Sequence, residues 1–195
     1  MIDKNFSGHN EHLFESIKRN ETSDIFITWE NSHKFISNAI DRDGSIFDPA
    51  CGDATILKTL SLWSSKTLIP YGVDFDIRVL NKARELYPQY KQNFFCEDFI
   101  NFNIKKIPKV DFGYFAIFDN YDFTEDFQKK WILKLSSIVD HRLIFSMYGE
   151  KNDEEFLWGR IHRISSLLHN WKGPNRIEGF RINGYEAFYF DKEKK

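Results

Sequence analysis

The sequence predicts an α/β protein with a doubly wound sheet, in which five parallel strands are closed by an antiparallel hairpin. Three observations carry this. From Ser45 onward, short apolar runs alternate with stretches of helical periodicity, as strands alternating with crossover helices should. Each apolar run is short and stops at turn residues, as buried parallel strands do. Near the end, Asn183-Gly184 separates two apolar runs, the strongest short-range signal for a two-residue hairpin.

The elements follow in order. Residues 1–32 are polar with scattered aromatics (Phe6, Phe14, Phe26, Trp29) and read as a helical cap or lid ahead of a main domain over 33–195. The first strand is Ser45 to Asp48, followed by a helix from about Asp53 to Trp63 with Ile56, Leu57, Leu60 and Trp63 on one stripe. The second strand is Thr67 to Val73. Its helix carries Ile77, Leu80, Ala83 and Tyr87 on one face and ends ahead of Pro88. The third strand is Asn93 to Cys96 and the fourth Phe112 to Phe118. A helix from about Thr124 to Val139 turns Phe127, Trp131, Leu135 and Ile138 inward, ahead of a fifth strand, Leu143 to Met147. A long helix, roughly Asp153 to Trp171, then precedes the hairpin strands Ile177 to Ile182 and Tyr185 to Asp191.

Composition narrows the function classes. The chain has 195 residues, with 27 Lys plus Arg against 29 Asp plus Glu, a net charge of −2. That balance disfavours a nucleic-acid coat protein. Twenty Phe, 8 Tyr and 5 Trp at 42% hydrophobic content supply ample core. The two cysteines, Cys51 and Cys96, form no CxxC pair, so neither a disulfide framework nor a zinc knuckle is indicated, and no metal is expected. With no signal-like apolar start and no run of about 20 apolar residues, the chain reads as soluble and cytoplasmic.

In an open α/β sheet the ligand lies beyond the carboxyl ends of the strands. Those ends read Asp48-Pro49-Ala50-Cys51-Gly52-Asp53, Asp74-Phe75-Asp76, Glu97-Asp98-Phe99 and Asp119-Asn120-Tyr121. Four consecutive strands thus deliver carboxylates to one rim. Such a rim repels phosphates, which favour glycine-rich amide nests, and suits hydroxyls, amino groups and a cation. Asp74 lies 22 residues after Gly52, close to the spacing at which nucleotide folds place an acid on ribose hydroxyls. Small residues at 50, 52 and 54 let the first turn approach a ligand. Asp98 and Phe99 are suited to an adenine, the acid taking the amino group and the ring covering a face, with Phe75 as the opposite wall.

Phe47-Asp48-Pro49-Ala50-Cys51-Gly52-Asp53-Ala54, Gly72-Val73-Asp74-Phe75-Asp76 and Cys96-Glu97-Asp98-Phe99 together resemble the first three motifs of the class I S-adenosylmethionine-dependent methyltransferases. The likeness extends from about Phe35 to Asp191. The family's glycine positions read Ala50, Gly52 and Ala54 here. The resemblance implies a seven-stranded sheet, parallel except for a C-terminal antiparallel hairpin strand, with helices on both faces as a three-layer sandwich. It further implies S-adenosylmethionine as cofactor, leaving as S-adenosylhomocysteine. Asp48 and the backbone of Ala50, Cys51, Gly52 and Asp53 would face the methionine moiety, Asp74 the ribose and Asp98 the adenine amino group. Phe118 to Asn120 would line the methyl's path, and Trp29 would close the pocket. Asp119 is the candidate general base and Tyr121 a second catalytic candidate, its ring face suited to the sulfonium charge, with Asn120 and Tyr121 on the acceptor.

Plainer readings stand beside these. Asp48 and Asp74 are also compatible with helix caps, Glu97 could serve in place of Asp98, and Cys51 is suited to a small buried role. His9 and His12 read as solvated, and Lys105, Lys106 and Lys109 as surface. Asp119-Asn120-Tyr121 invites comparison with the Asp/Asn-Pro-Pro-Tyr motif of amino-methylating nucleic-acid enzymes, but lacks both prolines. The leading expectation is therefore methyl transfer to a small-molecule acceptor with no membrane partner. Nucleic-acid or protein methylation and a non-catalytic cofactor-binding module are the alternatives. A nicotinamide oxidoreductase is disfavoured because Gly-x-Gly-x-x-Gly does not follow the first strand.

Overall fold

The computed structural model describes residues 15–19, 24–117, 125–148, 154–178 and 185–193. Residues 15–19 are helical. Helix α1 is Asp24–His33 and runs directly into a 3-10 turn, Lys34–Ala39. There follow β1 (Gly44–Asp48), α2 (Thr55–Ser64), β2 (Leu68–Asp74), α3 (Ile77–Leu86), β3 (Phe94–Cys96) and β4 (Val110–Ile117). The chain continues with α4 (Glu125–Ile138), β5 (Val139–Tyr148), α5 (Glu154–Leu167), β6 (Trp171–Arg176) and β7 (Tyr185–Lys192).

All seven strands form one sheet in the order β3-β2-β1-β4-β5-β7-β6. Strands β1 to β5 pair parallel, and β7 is antiparallel to both β5 and β6. From β1 the chain passes outward to β2 and β3, then returns to place β4 on the other side of β1. The crevice above β1 and β4 is the switch point of the sheet, the place where such folds take ligands.

Both faces are buried, as parallel strands require. Adjacent residues of β1 show the alternation directly: Ile46 packs with Phe35, Ile36, Leu57, Leu60, Leu80 and Ala83, while Phe47 packs into the cluster of Phe99, Phe102, Trp131, Leu135 and Ile164. One layer is thus the 3-10 turn with α2 and α3, the other α4 and α5. Each fully buried side chain of this size contributes roughly 1.5–3 kcal/mol.

Helix α1 crosses the expected boundary at residue 32, and the 3-10 turn that follows buries Phe35, Ile36 and Ala39 in the core. Residues 15–19 lie beside α3, where Lys18 Nζ meets Glu85 Oε2 at 2.8 Å. At the end of the sheet opposite the strand carboxyl ends, Arg142 of β5 is buried. Its Nε donates to Asp191 at 2.6 Å, its Nη1 to the Ala39 carbonyl at 2.8 Å, and its guanidinium lies 4.0 Å from the Tyr189 ring centre.

Several details add to or differ from the sequence expectations. The sixth strand is Trp171–Arg176, ahead of the expected Ile177 to Ile182, of which 179–182 lie outside the described residues, and the helix before it stops at Leu167 rather than reaching Trp171. Gly173 and Pro174 sit inside that strand, which is tolerated because β6 is an edge and its ladder slips between Lys172 and Asn175. The antiparallel pairing holds, and the Asn183-Gly184 turn lies outside the described residues. Ile77 is 45% exposed; as the first residue of α3 it precedes the face that Leu80, Ala83 and Tyr87 bury. Between β3 and β4 a parallel crossover would ordinarily carry a helix, but here it holds only a 3-10 turn at Ile104–Lys106. Phe99, Phe102 and Ile107 cover the sheet in its place.

Candidate active site

Strand β1 ends at Asp48 and neighbouring β2 at Asp74, so the register of two parallel strands alone sets two carboxyls side by side at the switch point. The loop after β1 leans onto β2. The Cys51 N–H donates to the Val73 carbonyl at 3.0 Å and the Gly52 N–H to Asp74 Oδ2 at 3.0 Å. This approach depends on Gly72, because a Cβ there would stand 2.5 Å from Cys51 Sγ. Gly52 takes φ +52°, a left-handed conformation that glycine adopts without strain.

The other loop amides are also engaged. The Ala50 N–H donates to Asp48 Oδ1 at 2.9 Å, and the Ala54 N–H to the Cys51 carbonyl at 2.8 Å. Four amides of the turn are therefore spent within the protein, so this is no pyrophosphate nest. Carboxyls dominate instead. Asp48 is 3% exposed, and burial, with the nearby Asp74 charge adding to it, pushes its pKa up to about 7 against the Ala50 hydrogen bond. Burial also raises Asp74, against its bonds from Asp76 and Gly52, and raises Asp53 against the bond from Thr55. Desolvated acids in such proximity favour a ligand that brings hydrogen-bond donors or positive charge.

Asp74 Oδ1 accepts from the Asp76 N–H at 2.9 Å. Each oxygen of Asp74 thus holds one amide, and a carboxylate has about four acceptor sites, which leaves capacity for a vicinal diol. The cap of α3 is Asp76, whose Oδ1 accepts from the Arg78 N–H at 2.9 Å. Asp48 likewise makes its turn within the loop, seven residues before α2 begins, and the Asx turn at that helix start belongs to Asp53, which accepts from Thr55 at 3.0 Å.

Phe75 is 75% exposed beside Asp74. After β3, Asp98 is exposed and accepts from the Ile100 N–H at 2.9 Å, while Glu97 pairs with Lys106. Phe99 lies elsewhere than expected: it is 1% exposed, with Phe47 at 5.5 Å and Trp131 edge-on at 5.2 Å, so its ring fills the core rather than walling a hollow. Cys51 is buried, and burial with the surrounding aspartates holds its thiol well up, in the inert form. Trp29 stacks on His33 at 3.7 Å and its buried indole N–H has no partner among the described residues. Phe118, Asp119, Asn120 and Tyr121 lie outside the described residues.

Two positioning residues carry no site assignment in the sequence, although Gly72 opens the second motif-like segment. Gly72 opens the space for the first loop, and Lys134 of α4 reaches across to the turn after β3, donating to the Phe99 and Ile100 carbonyls at 2.5 and 2.7 Å. A glycine facing a small loop residue was available as a hint for the first. Nothing local marks the second, since its partner lies 35 residues away.

The architecture, seven strands with an antiparallel β7 and helices on both faces, is shared with solved structures of S-adenosylmethionine-dependent methyltransferases. The fold is similar to an S-adenosylmethionine-dependent methyltransferase from Clostridium acetobutylicum, with a TM-score of 0.60 at 13% identity over 96% of this chain and 99% of that one. A ribosomal protein L11 methylase from Lactobacillus delbrueckii gives 0.59 at 12% identity over 87% and 80%. A magnesium protoporphyrin IX methyltransferase from Synechocystis, with bound S-adenosylmethionine, gives 0.55 at 14% over 99% and 86%. No family model matches the sequence, and no curated protein matches it either.

Proposed function

We propose that this chain is an S-adenosylmethionine-dependent methyltransferase acting on a small-molecule acceptor. The observation that carries the reading is the pairing of Asp48 and Asp74 at the switch point, beneath a loop whose amides are already engaged. That combination fits a cationic, hydroxyl-bearing nucleoside and disfavours a dinucleotide.

Asp48 and the backbone over Ala50 to Asp53 take the amino-acid end of the cofactor. Asp74 accepts from the ribose hydroxyls, Phe75 supplies an exposed ring beside them, and Asp98 takes the adenine amino group. The buried Trp29 N–H is a donor still open to a ligand acceptor, in keeping with a cap that closes over the site. When bound, the cofactor supplies a methyl group that is already electrophilic. The protein's own contribution is alignment and exclusion of water, and alignment alone lowers barriers by roughly 7–11 kcal/mol. Asp119 is assigned as base and Asn120 and Tyr121 as acceptor contacts, with Phe118 on the methyl's path; these four assignments rest on the sequence. The net charge of −2 favours a small acceptor over a polyanion. No helix among the described residues is long and apolar enough to cross a membrane, and we assign the chain to the cytoplasm.

Calorimetric titration with S-adenosylhomocysteine tests the cofactor. Saturable binding is expected, weakened at least tenfold in Asp74→Ala and less in Asp74→Asn, which preserves one acceptor oxygen. Absence of heat with the wild-type chain, together with no protection against thermal unfolding, would end the assignment.

A further inference from the structure

The rim at the strand ends is unequal along its length. At the β1 end, Asp48, Cys51 and Asp53 are all buried. At the β3 end the described side chains stand open to solvent: Phe75 and Ile77 after β2, and Cys96 and Asp98 around the end of β3, are exposed. These open residues form one edge, because the turns after β2 and β3 are bonded to each other. The Glu97 N–H donates to the Asp74 carbonyl at 3.1 Å, and the Cys96 thiol donates to the Phe75 carbonyl at 3.6 Å.

The opening follows from the connection between β3 and β4. With a 3-10 turn at Ile104–Lys106 where a parallel crossover ordinarily carries a helix, Phe99 turns inward onto Phe47 and Trp131. The ring that the sequence offered as one wall for a base is thereby spent on the core, and Phe75 is left as a wall on one side only. Asp98 keeps a carboxylate at this edge, its Oδ1 accepting from the Ile100 N–H at 2.9 Å. As an exposed group, however, it exchanges any ligand contact against water.

The two ends therefore discriminate unequally. A buried polar group left unpaired costs its full desolvation, so a ligand lacking the matching group is rejected strongly. At an open edge water replaces a lost contact, and an added substituent meets solvent rather than protein. We propose that this chain reads its cofactor at the amino-acid end and is permissive at the base, accepting S-adenosyl ligands that carry a large substituent on the adenine amino group. Phe75 and Asp98 orient the base without enclosing it. This inference rests on the methyltransferase reading above and on the orientation given there, and the ligand series below separates the two.

The full chain is titrated by calorimetry with S-adenosylhomocysteine, with its derivative benzylated on the adenine amino group, and with methylthioadenosine, which keeps base and ribose but lacks the amino-acid end. The benzyl derivative is expected within about fivefold of S-adenosylhomocysteine, and methylthioadenosine at least about thirtyfold weaker. Phe75→Ala, at an exposed position that folding does not depend on, should weaken S-adenosylhomocysteine several-fold by removing the wall of the base. Alkylation with iodoacetamide, read by mass spectrometry, gives a second measurement, since Cys96 is exposed at this edge whereas Cys51 is buried with its thiol held in the protonated form. S-adenosylhomocysteine and its benzyl derivative should both slow the modification of Cys96.

A benzyl derivative that binds more than about fivefold weaker overturns the open base end and leaves the cofactor assignment standing. So does unchanged S-adenosylhomocysteine affinity in Phe75→Ala, or a Cys96 alkylation rate that saturating S-adenosylhomocysteine does not alter. A smaller loss than about thirtyfold for methylthioadenosine overturns the selectivity at the amino-acid end. Failure of S-adenosylhomocysteine itself to bind removes the cofactor assignment, and this inference with it.

Discussion

Tyr87 closes α3 with its ring 3% exposed against Phe94 at 5.8 Å, yet its hydroxyl is buried and has no partner among the described residues. An unsatisfied buried hydroxyl costs about 1–3 kcal/mol, and removing it leaves the ring packing intact. Tyr87→Phe is therefore expected to stabilise the protein by up to about 1 kcal/mol, read as a higher denaturant midpoint at unchanged slope. A lower midpoint would mean that the hydroxyl is satisfied. Lys134 presents the opposite case, since its ammonium holds two carbonyls of the turn that carries Asp98. Lys134→Met retains most of the stem over Phe99 but frees that turn, so S-adenosylhomocysteine binding should weaken several-fold while the denaturant midpoint moves little. Equal affinity in the variant would remove Lys134 from the positioning role.

The β1 loop and β2 act as one unit, joined where Cys51 lies against Gly72. Gly72→Ala puts a methyl group 2.5 Å from Cys51 Sγ and 2.7 Å from its Cβ, and overpacking of this kind costs roughly 1–3 kcal/mol. Because the loop must lift off β2 to relieve the clash, the Gly52 bond to Asp74 is lost as well. Cofactor affinity should then fall, and Gly72→Ala combined with Cys51→Ala should recover part of it. No recovery would show that the clash is resolved elsewhere. The same unit shows what could be read in advance. The acids at 48 and 74 were legible because β1 and β2 end on them, and parallel pairing brings those ends together without further information; Asp98 follows two residues beyond the end of β3. Strand β6 was not legible: Gly173 and Pro174 argue against a strand locally, and only its edge position permits them. Phe99 was misplaced for a related reason. The missing crossover helix between β3 and β4 leaves sheet to be covered, and the aromatic nearest the turn goes inward to cover it.

At the level of the whole molecule, two buried groups set opposing pH dependences. His33 is buried and burial lowers its pKa to about 4 from the ordinary 6.5. Between those values the unfolded chain binds more protons, so His33 makes stability rise with pH and flatten above 6.5. Asp48 is raised from 3.8 to about 7. Over that window the folded chain binds more protons, so the stability from Asp48 is fully present below about 4 and is lost as pH climbs to 7. The two slopes offset each other below 6.5, and a shallow profile is expected for the wild type. Asp48→Asn removes one slope only, so the variant should gain stability from pH 4 to 6.5 and exceed the wild type at pH 8. Ligand binding runs the other way. A cationic amino group beside Asp48 requires the ionised carboxylate, so S-adenosylhomocysteine affinity should fall below pH 7 by at most tenfold per unit for one linked proton, and Asp48→Asn should bind weakly with a flatter profile. Calorimetry at pH 8, 7, 6 and 5.5 decides it: an affinity constant across that range would mean that Asp48 does not face the charged end of the ligand, and the orientation assigned to the cofactor would have to be reversed.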